Sequence, residues 1–235
     1  MVEVGGYNIN QKDTMRYTPL AWAAWSGHEA VVKLLLDQDD IDPNKPGECG
    51  QTPLLLAACN GYEGVVKMLL IRNDIDPDKP NDSDRTPLLL AACNGHEVVV
   101  NMLLGRDDVN PNCSDEFSQT PLWIAAYNEH EGVVKILLGR DDVDPNKSDR
   151  HGQTPLWIAA RRGRKGVVKI LLRRDDVNPN QPDKTGTTPL GCAASKGYKL
   201  VVEMLLERND VNPSNSDKRG QTPLFWLLTV GMREW

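Results

Sequence analysis

Apolar and polar residues follow one arrangement that recurs along the chain. In the copy beginning at Thr52, Leu54, Ala57 and Ala58 fall at i, i+3 and i+4, which is one face of a short α-helix. A second apolar run follows, in which a Val-Val pair stands two residues before a Leu-Leu pair, and the intervening lysine, Lys67, keeps the other face polar. Because helices this short are marginal in water, the pattern predicts pairs of antiparallel helices that bury their apolar faces by stacking.

The tripeptide Thr-Pro-Leu sets the interval between copies. Threonine before proline is typical of a helix start, because the hydroxyl caps the helix and proline fits its first position. Successive copies are 34 residues apart, as in 52 − 18 = 34 and 222 − 188 = 34. A period between about 20 and 50 residues indicates a repeat architecture. We therefore predict that residues 1–235 form a single array, its last repeat truncated, with repeats starting near Thr18, Thr52, Thr86, Thr120, Thr154, Thr188 and Thr222.

Polar loops connect the helix pairs. Residues 107–112 read Asp-Asp-Val-Asn-Pro-Asn and residues 141–146 read Asp-Asp-Val-Asp-Pro-Asn, a composition that predicts turns. One Val or Ile in each loop is expected to tuck beneath the helices. These residues are Ile41, Ile75, Val109, Val143, Val177 and Val211.

The unit Thr-Pro-Leu-x-x-Ala-Ala-x-x-Gly-His-Glu-x-Val-Val-x-x-Leu-Leu, followed by Asp-Val-Asn, resembles the ankyrin repeat. A tetratricopeptide array has a similar period, but its Trp, Gly and Tyr pattern is absent. The resemblance implies an all-α, ankyrin-like solenoid of stacked antiparallel helix pairs with long polar loops. The period is one residue longer than the usual unit of about 33, and the extra residue lies in the loop. Proline there is expected to make the family's β-hairpin fingers less regular.

The final copy of Thr-Pro-Leu is followed by an apolar run and no second helix pattern. Phe225, Trp226, Leu227 and Leu228 would then lie on an open end of the array. We expect that the chain is part of a longer protein, or that a partner covers this end.

Composition narrows the classes of function. A net charge of −6 argues against nonspecific binding of polyanions by the whole surface. Apolar runs are too short to span a bilayer, and we expect no secretory signal. Five cysteines without a CxxC spacing indicate free thiols in a reducing compartment, so we expect a cytoplasmic or nuclear protein.

The chain shows no arrangement of catalytic residues, so we predict that it is not an enzyme and needs no cofactor. His28, His96 and His130 occupy the same slot of different repeats, where packing or capping explains them better than catalysis. The carboxylates of a loop such as residues 142–146 resemble the start of a calcium loop, but the glycine and the distal glutamate are missing. We therefore predict turn-capping side chains there, and no metal site.

A binding surface is the function that the resemblance implies. In ankyrin-like proteins the first helices line a concave groove and the loop tips extend it. The candidate partner-binding residues at these positions are Trp25, Cys59, Asn60, Cys93, Asn94, Phe117, Trp123, Tyr127, Asn128, Arg150, His151, Trp157, Arg161, Arg162 and Lys196.

Two interpretations of Trp123 and Trp157 stay open. Their rings pack within the repeats or anchor a partner as exposed hot spots, and both can hold at once. Arg161 and Arg162 belong to a basic cluster that extends to Arg174 and is either a binding patch or a solvated face with local ion pairs.

We predict a non-catalytic scaffold that binds another protein. One alternative is recognition of nucleic acid or a nucleotide, with tryptophan stacking on bases and the basic patch Arg161–Arg174 on phosphate. Another is a structural spacer within a larger multidomain protein.

Overall fold

Residues 8–231 are described by the structure, which is a computed structural model. Within this range the regular structure is helical and no strand occurs, in agreement with the predicted all-α class. The α-helices, in chain order, are α1 Pro19–Trp25, α2 Glu29–Leu36, α3 Pro53–Asn60, α4 Glu63–Leu70, α5 Pro87–Asn94, α6 Glu97–Leu104, α7 Pro121–Asn128, α8 Glu131–Leu138, α9 Pro155–Arg162, α10 Lys165–Leu171, α11 Pro189–Ser195, α12 Lys199–Leu206 and α13 Pro223–Gly231. A 3-10 turn spans Glu48–Gly50.

The chain divides into two compact units, Met1–Glu116 and Phe117–Trp235. In the first unit α1, α3 and α5 pack in succession, and α2, α4 and α6 form a parallel row. In the second unit α7, α9, α11 and α13 form one row, while α8, α10 and α12 form the other. Each unit is thus an ankyrin-like solenoid of helix pairs. That all of residues 1–235 form one continuous array stays a prediction.

The structure confirms the predicted helix starts at Thr-Pro. The Thr52 hydroxyl accepts a hydrogen bond from the Leu55 N–H at 3.2 Å, and Pro53 takes the first helical position. The same bond caps α1, α5, α7, α9 and α11 at 3.1–3.3 Å. These threonines are buried, so the helix start and the core are fixed together.

Glycine ends several first helices in the left-handed conformation. Gly61 has φ 74°, and Gly95 and Gly163 are similar. In α7 the same position holds Glu129, which adopts φ 67° despite its side chain.

The core of each unit lies between its two rows of helices. Ala57 and Ala58 are fully buried, as predicted for the apolar face of their helix. The loop residues Ile41, Ile75, Val109, Val143 and Val177 are also buried, whereas Val211 is half-buried.

A column of asparagines joins consecutive loops within each unit. The Asn44 side chain donates from Nδ2 to the Asp74 carbonyl oxygen at 2.6 Å, and its Oδ1 accepts from the Asp76 N–H at 2.8 Å. Asn10, Asn146 and Asn180 make the same pair of bonds. We call this set the asparagine column.

A recurring arginine fastens the ends of α4, α6, α10 and α12 to the preceding repeat. Arg106 forms a two-pronged ion pair with Asp108 at 2.7–2.8 Å, and its remaining nitrogen donates to the Leu70 carbonyl oxygen at 2.8 Å. Arg72, Arg174 and Arg208 repeat this geometry. The pKa of Asp108 is lowered, first by its hydrogen bond to Arg106.

The loop tips are joined more simply than the strands of a hairpin finger. Within the second unit the Arg150 N–H donates to the Phe117 carbonyl oxygen at 3.0 Å, and the Lys184 N–H donates to the His151 carbonyl oxygen at 2.9 Å. The absence of strands from residues 8–231 agrees with the predicted irregularity of these fingers.

At the end of the described range, α13 exposes much of its apolar surface. Leu224, Phe225, Leu227 and Leu228 are exposed, whereas Trp226 is half-buried. The predicted exposure of this helix is therefore correct for all but Trp226.

Candidate functional site

The ends of the first helices in the second unit present a polar and basic surface. Tyr127 and Asn128 end α7, Arg161 and Arg162 end α9, and Lys196 follows α11. Because α7, α9 and α11 pack in succession, these side chains lie in neighbouring rows. Both arginines and Lys196 are exposed, while Tyr127 and Asn128 are half-buried. We call these five residues the arginine face.

Trp123 and Trp157 do not contribute exposed rings to this surface. They are 4% and 3% exposed. The Trp123 indole N–H donates to the Gln153 carbonyl oxygen at 2.9 Å, and that of Trp157 donates to the Thr187 carbonyl oxygen at 2.8 Å. The exposure that the hot-spot interpretation assumed is therefore wrong, while a role of these two residues in partner binding stays a prediction. Each indole instead spans to the loop of the next repeat.

The buried rings support the arginines above them. Trp123 stacks on Tyr127 with centroids 5.4 Å apart and an interplanar angle of 15°. The Arg162 guanidinium lies 3.8 Å above the Tyr127 ring, and its Nη2 donates to the Tyr127 hydroxyl. The Arg161 guanidinium lies 5.5 Å from the centre of the Trp157 ring. Such contacts limit the rotamers of long side chains while leaving their charge in water.

The loop-tip candidates form a smaller group in the same unit. The Arg150 guanidinium lies 4.5 Å above the half-buried Phe117 ring, and its Nε approaches His151 Nε2 at 3.3 Å. Arg150 and His151 are both exposed. Phe117, which the sequence predicts at a loop tip, is therefore partly covered by Arg150.

In the first unit the corresponding helix ends are neutral. Asn94 donates from Nδ2 to the carbonyl oxygens of Leu90 at 3.0 Å and Cys59 at 3.2 Å, and Asn60 donates to Leu56 at 2.9 Å. Both asparagines are exposed, whereas Cys59 and Cys93 are half-buried. The asparagine side chains bond main-chain carbonyl oxygens at the helix ends, and these residues carry no charge for a ligand to pair with.

Trp25 is the exception among the first-unit candidates. It is 50% exposed, and its ring meets that of Trp22 edge-on with centroids 5.2 Å apart. Sequence comparison between repeats identified Trp25 because its position varies, but did not select Trp22, which belongs to the same cluster.

The repeated histidine slot has a packing role. The His96 ring lies against Gly61 of the preceding repeat, where an added Cβ would come within 2.6 Å of Nδ1. Its Nε2 lies 3.0 Å from the Cys59 carbonyl oxygen. His28, His96 and His130 precede their helices without a side-chain cap, so the capping role is wrong. The packing role is confirmed for His96, whereas His28 is exposed.

The basic cluster is partly neutralised. Arg164 pairs with Glu129, and Arg174 pairs with Asp176 at 2.6 Å. Within the cluster, therefore, local ion pairs occupy Arg164 and Arg174, while Arg161 and Arg162 rest on aromatic rings.

Carboxylates of the loops accept hydrogen bonds that cap turns. Asp144 accepts from the Asn146 N–H at 2.9 Å, as predicted. Among residues 8–231, no three His, Cys, Asp or Glu side chains are grouped to hold a metal ion. The helices in the same range are also too short and polar to traverse a bilayer.

Models of the ankyrin repeat family match the chain along its repeats. A model of three ankyrin repeats matches residues 40–115 and 88–183, and a single-repeat model matches residues 15–48 and 185–218. No curated protein sequence is significantly similar to the chain.

Two solved structures share the fold. The ankyrin repeat domain of Bcl-3, described as a unique member of the IkappaB protein family, has a TM-score of 0.81 at 24% identity, covering 89% of this chain and 93% of that one. The human ASB11 ankyrin repeat domain has a TM-score of 0.78 at 24% identity, covering 93% and 99%. At this identity the likeness concerns the fold alone.

Proposed function

Because the chain belongs to the ankyrin repeat family, whose members are generally non-catalytic scaffolds that bind other proteins, we propose that it binds a partner protein through the arginine face. The observation that carries the proposal is the exposure of Arg161 and Arg162 above the rings of Trp157 and Tyr127. Arginine is enriched at the energetic centres of interfaces.

The arginine face would bind its partner with side chains that are already held in place. Each guanidinium already rests on a ring, so docking orders fewer rotamers and less conformational entropy is lost. Lys196 extends the positive charge to the next repeat. A partner segment that carries Asp or Glu fits this surface, since arginine binds carboxylates with two parallel hydrogen bonds.

Nucleic-acid binding has less support. Base stacking needs exposed aromatic faces, and both Trp123 and Trp157 are buried. The paired Arg164 and Arg174 also leave fewer charges for phosphate.

The test compares charge-reversal variants of the whole chain. Tagged wild type, Arg161→Glu/Arg162→Glu, and Lys135→Glu/Lys169→Glu are used to capture proteins from lysate, followed by quantitative crosslinking mass spectrometry. The lysine variant is the matched control, because it reverses two exposed charges on α8 and α10 of the same unit.

We expect a set of partners that wild type and the lysine variant capture in equal amounts. The arginine variant should capture at least tenfold less of each partner in that set. Crosslinks from that set should map to α7, α9 or α11. Equal capture by a folded arginine variant would contradict the proposal, and the absence of any specific partner would favour the structural-spacer alternative.

A further inference from the structure

A cavity of about 190 Å³ opens beside α1 in the first unit. It is lined by Met15, Tyr17, Trp22, Trp25 and Glu48. Three aromatic rings and one carboxylate therefore surround a space smaller than the roughly 300–1,000 Å³ that pockets for drug-sized ligands occupy. Its size suits the end of a side chain.

The three rings stand at steep angles to one another. Tyr17 and Trp22 have centroids 5.4 Å apart and an interplanar angle of 60°. Trp22 and Trp25 have centroids 5.2 Å apart and an angle of 71°. Rings in this arrangement make separate walls of the cavity, and a cation within about 6 Å of several centroids is attracted by each ring.

Protein contacts hold two of these walls in place. Asp13 accepts from the Trp22 indole N–H at 2.8 Å and from the Tyr17 backbone N–H at 2.9 Å. The Tyr17 hydroxyl donates to Gln51 Oε1 at 2.8 Å. The Tyr17 ring also lies against Gly47, where an added Cβ would come within 2.4 Å of a ring carbon. The Tyr17 and Trp22 walls are thus in place before any ligand arrives.

The polar groups of the cavity leave one anionic acceptor. Both Asp13 oxygens already accept protein hydrogen bonds, and the Tyr17 proton is directed to Gln51. Glu48 is exposed and forms no ion pair within residues 8–231. Burial raises the pKa of Tyr17, and the negative charges of Glu48 and Asp13 add to this effect. The negative charge of Glu48 and the faces of the three rings favour a cation in the cavity.

We propose that this cavity binds a methylated lysine side chain of a partner protein. The methyl groups pack on the rings of Tyr17, Trp22 and Trp25, while Glu48 neutralises the charge. Recognition of quaternary ammonium groups and methyl-lysine is the best-known use of aromatic walls around a cation.

Unmodified lysine fits this site less well. Its ammonium carries three N–H donors, and a buried donor without an acceptor costs free energy. Glu48 supplies one carboxylate at the rim, whereas each added methyl group replaces a donor with apolar surface. Affinity should therefore rise with methylation.

The test titrates the whole chain with capped Ala-Lys-Ala tripeptides whose lysine carries zero, one, two or three methyl groups. Binding is followed by NMR, using the indole N–H signals of Trp22 and Trp25, and by calorimetry. We expect the trimethylated peptide to bind at least tenfold more tightly than the unmethylated one, with both indole signals shifting.

Four variants sharpen the result. Trp25→Ala should weaken binding at least tenfold, and Glu48→Gln should weaken it less. Leu34→Ala, which removes another exposed apolar side chain from the first unit, should bind as wild type does. Circular dichroism confirms folding, and Trp25→Phe restores part of the affinity if the ring is what matters.

Equal affinity for all four peptides would overturn the proposal, as would unchanged binding by Trp25→Ala. The outcome is separate from that of the arginine face. The Arg161→Glu/Arg162→Glu variant keeps every cavity residue, so it should bind the trimethylated peptide normally, whatever becomes of its protein partners.

Discussion

Asp78 occupies the position of the asparagine column where other repeats carry Asn. Its Oδ2 accepts from the Asn110 N–H at 2.7 Å, as Asn44 does for Asp76. Its Oδ1, however, is buried without a hydrogen-bond partner, where an asparagine would place its amide donor. Burial raises the pKa of Asp78, and the nearby charges of Asp76 and Asp108 add to the effect.

We predict that Asp78→Asn raises the free energy of unfolding by about 1 kcal/mol at pH 7, the net value of a typical hydrogen bond. Because the folded-state pKa of Asp78 is raised, its contribution in wild type is present at low pH and lost as pH rises through that pKa. The gain from Asn should therefore be smallest near pH 3 and grow with pH. Urea unfolding at several pH values measures it.

The matched control is Asp42→Asn, which removes the same charge from the exposed turn position two residues before Asn44 and leaves the surroundings of Asp78 unchanged. It should show little of the pH-dependent gain. A destabilised Asp78→Asn protein, or a gain that does not change with pH, would refute the prediction.

Sequence identified Asp and Asn in these loops as turn residues, and local bonds such as Asp144 to the Asn146 N–H confirm that. It did not identify the asparagine column, because those bonds join residues 30 and 32 positions apart and depend on the stacking of the loops. The only signal available was the recurrence of Asn at a fixed position of the repeat.

At the scale of one element, α7 ends differently from its counterparts. Glu129 takes the left-handed conformation that Gly61, Gly95 and Gly163 adopt in other repeats. Glycine pays no steric cost there, whereas other residues lose roughly 1–2 kcal/mol. The ion pair of Glu129 with Arg164 offsets part of this cost, since exposed pairs contribute about 0–1 kcal/mol.

We predict that Glu129→Gly stabilises the protein by about 0.5–1 kcal/mol, because relief of the backbone cost exceeds the loss of a surface ion pair. Glu129→Ala loses the pair and keeps the strained conformation, so it should not stabilise. Thermal and urea unfolding compare the two variants. The prediction fails if alanine stabilises as much as glycine does.

Helix starts, the Ala-Ala face and the buried loop Val or Ile were all predictable, because each follows from local spacing. The burial of Trp123 and Trp157 was not, although packing was one of the two interpretations. Their indoles reach carbonyl oxygens 30 residues away, and such a contact leaves no trace in the local pattern.

At the scale of the whole molecule, net charge and ion pairing indicate which ligands the surface can bind. The net charge is −6, and the arginines of the second helix ends are tied to neighbouring aspartates. The excess of acidic groups opposes the approach of a polyanion, and the ion pairs make these five arginines less available to the phosphates of a nucleic acid.

We therefore predict no detectable shift of a random-sequence 20-nucleotide RNA at micromolar protein and about 0.15 M salt, where surface charges are screened within roughly 8 Å. An electrophoretic mobility assay measures this, with a known RNA-binding protein as the positive control. Tight binding that weakens steeply with added salt would contradict the prediction and favour the basic patch as a nucleic-acid site.

The arginine fastening and the asparagine column have an evolutionary consequence. In both, the acceptor on the adjoining repeat is a main-chain carbonyl, as for Arg106 with Leu70 and Asn44 with Asp74. Every amino acid supplies that group, so a duplicated segment of the gene would fit beside its parent without compensating substitutions. The array is thus able to lengthen by copying while its outward-facing side chains diversify freely.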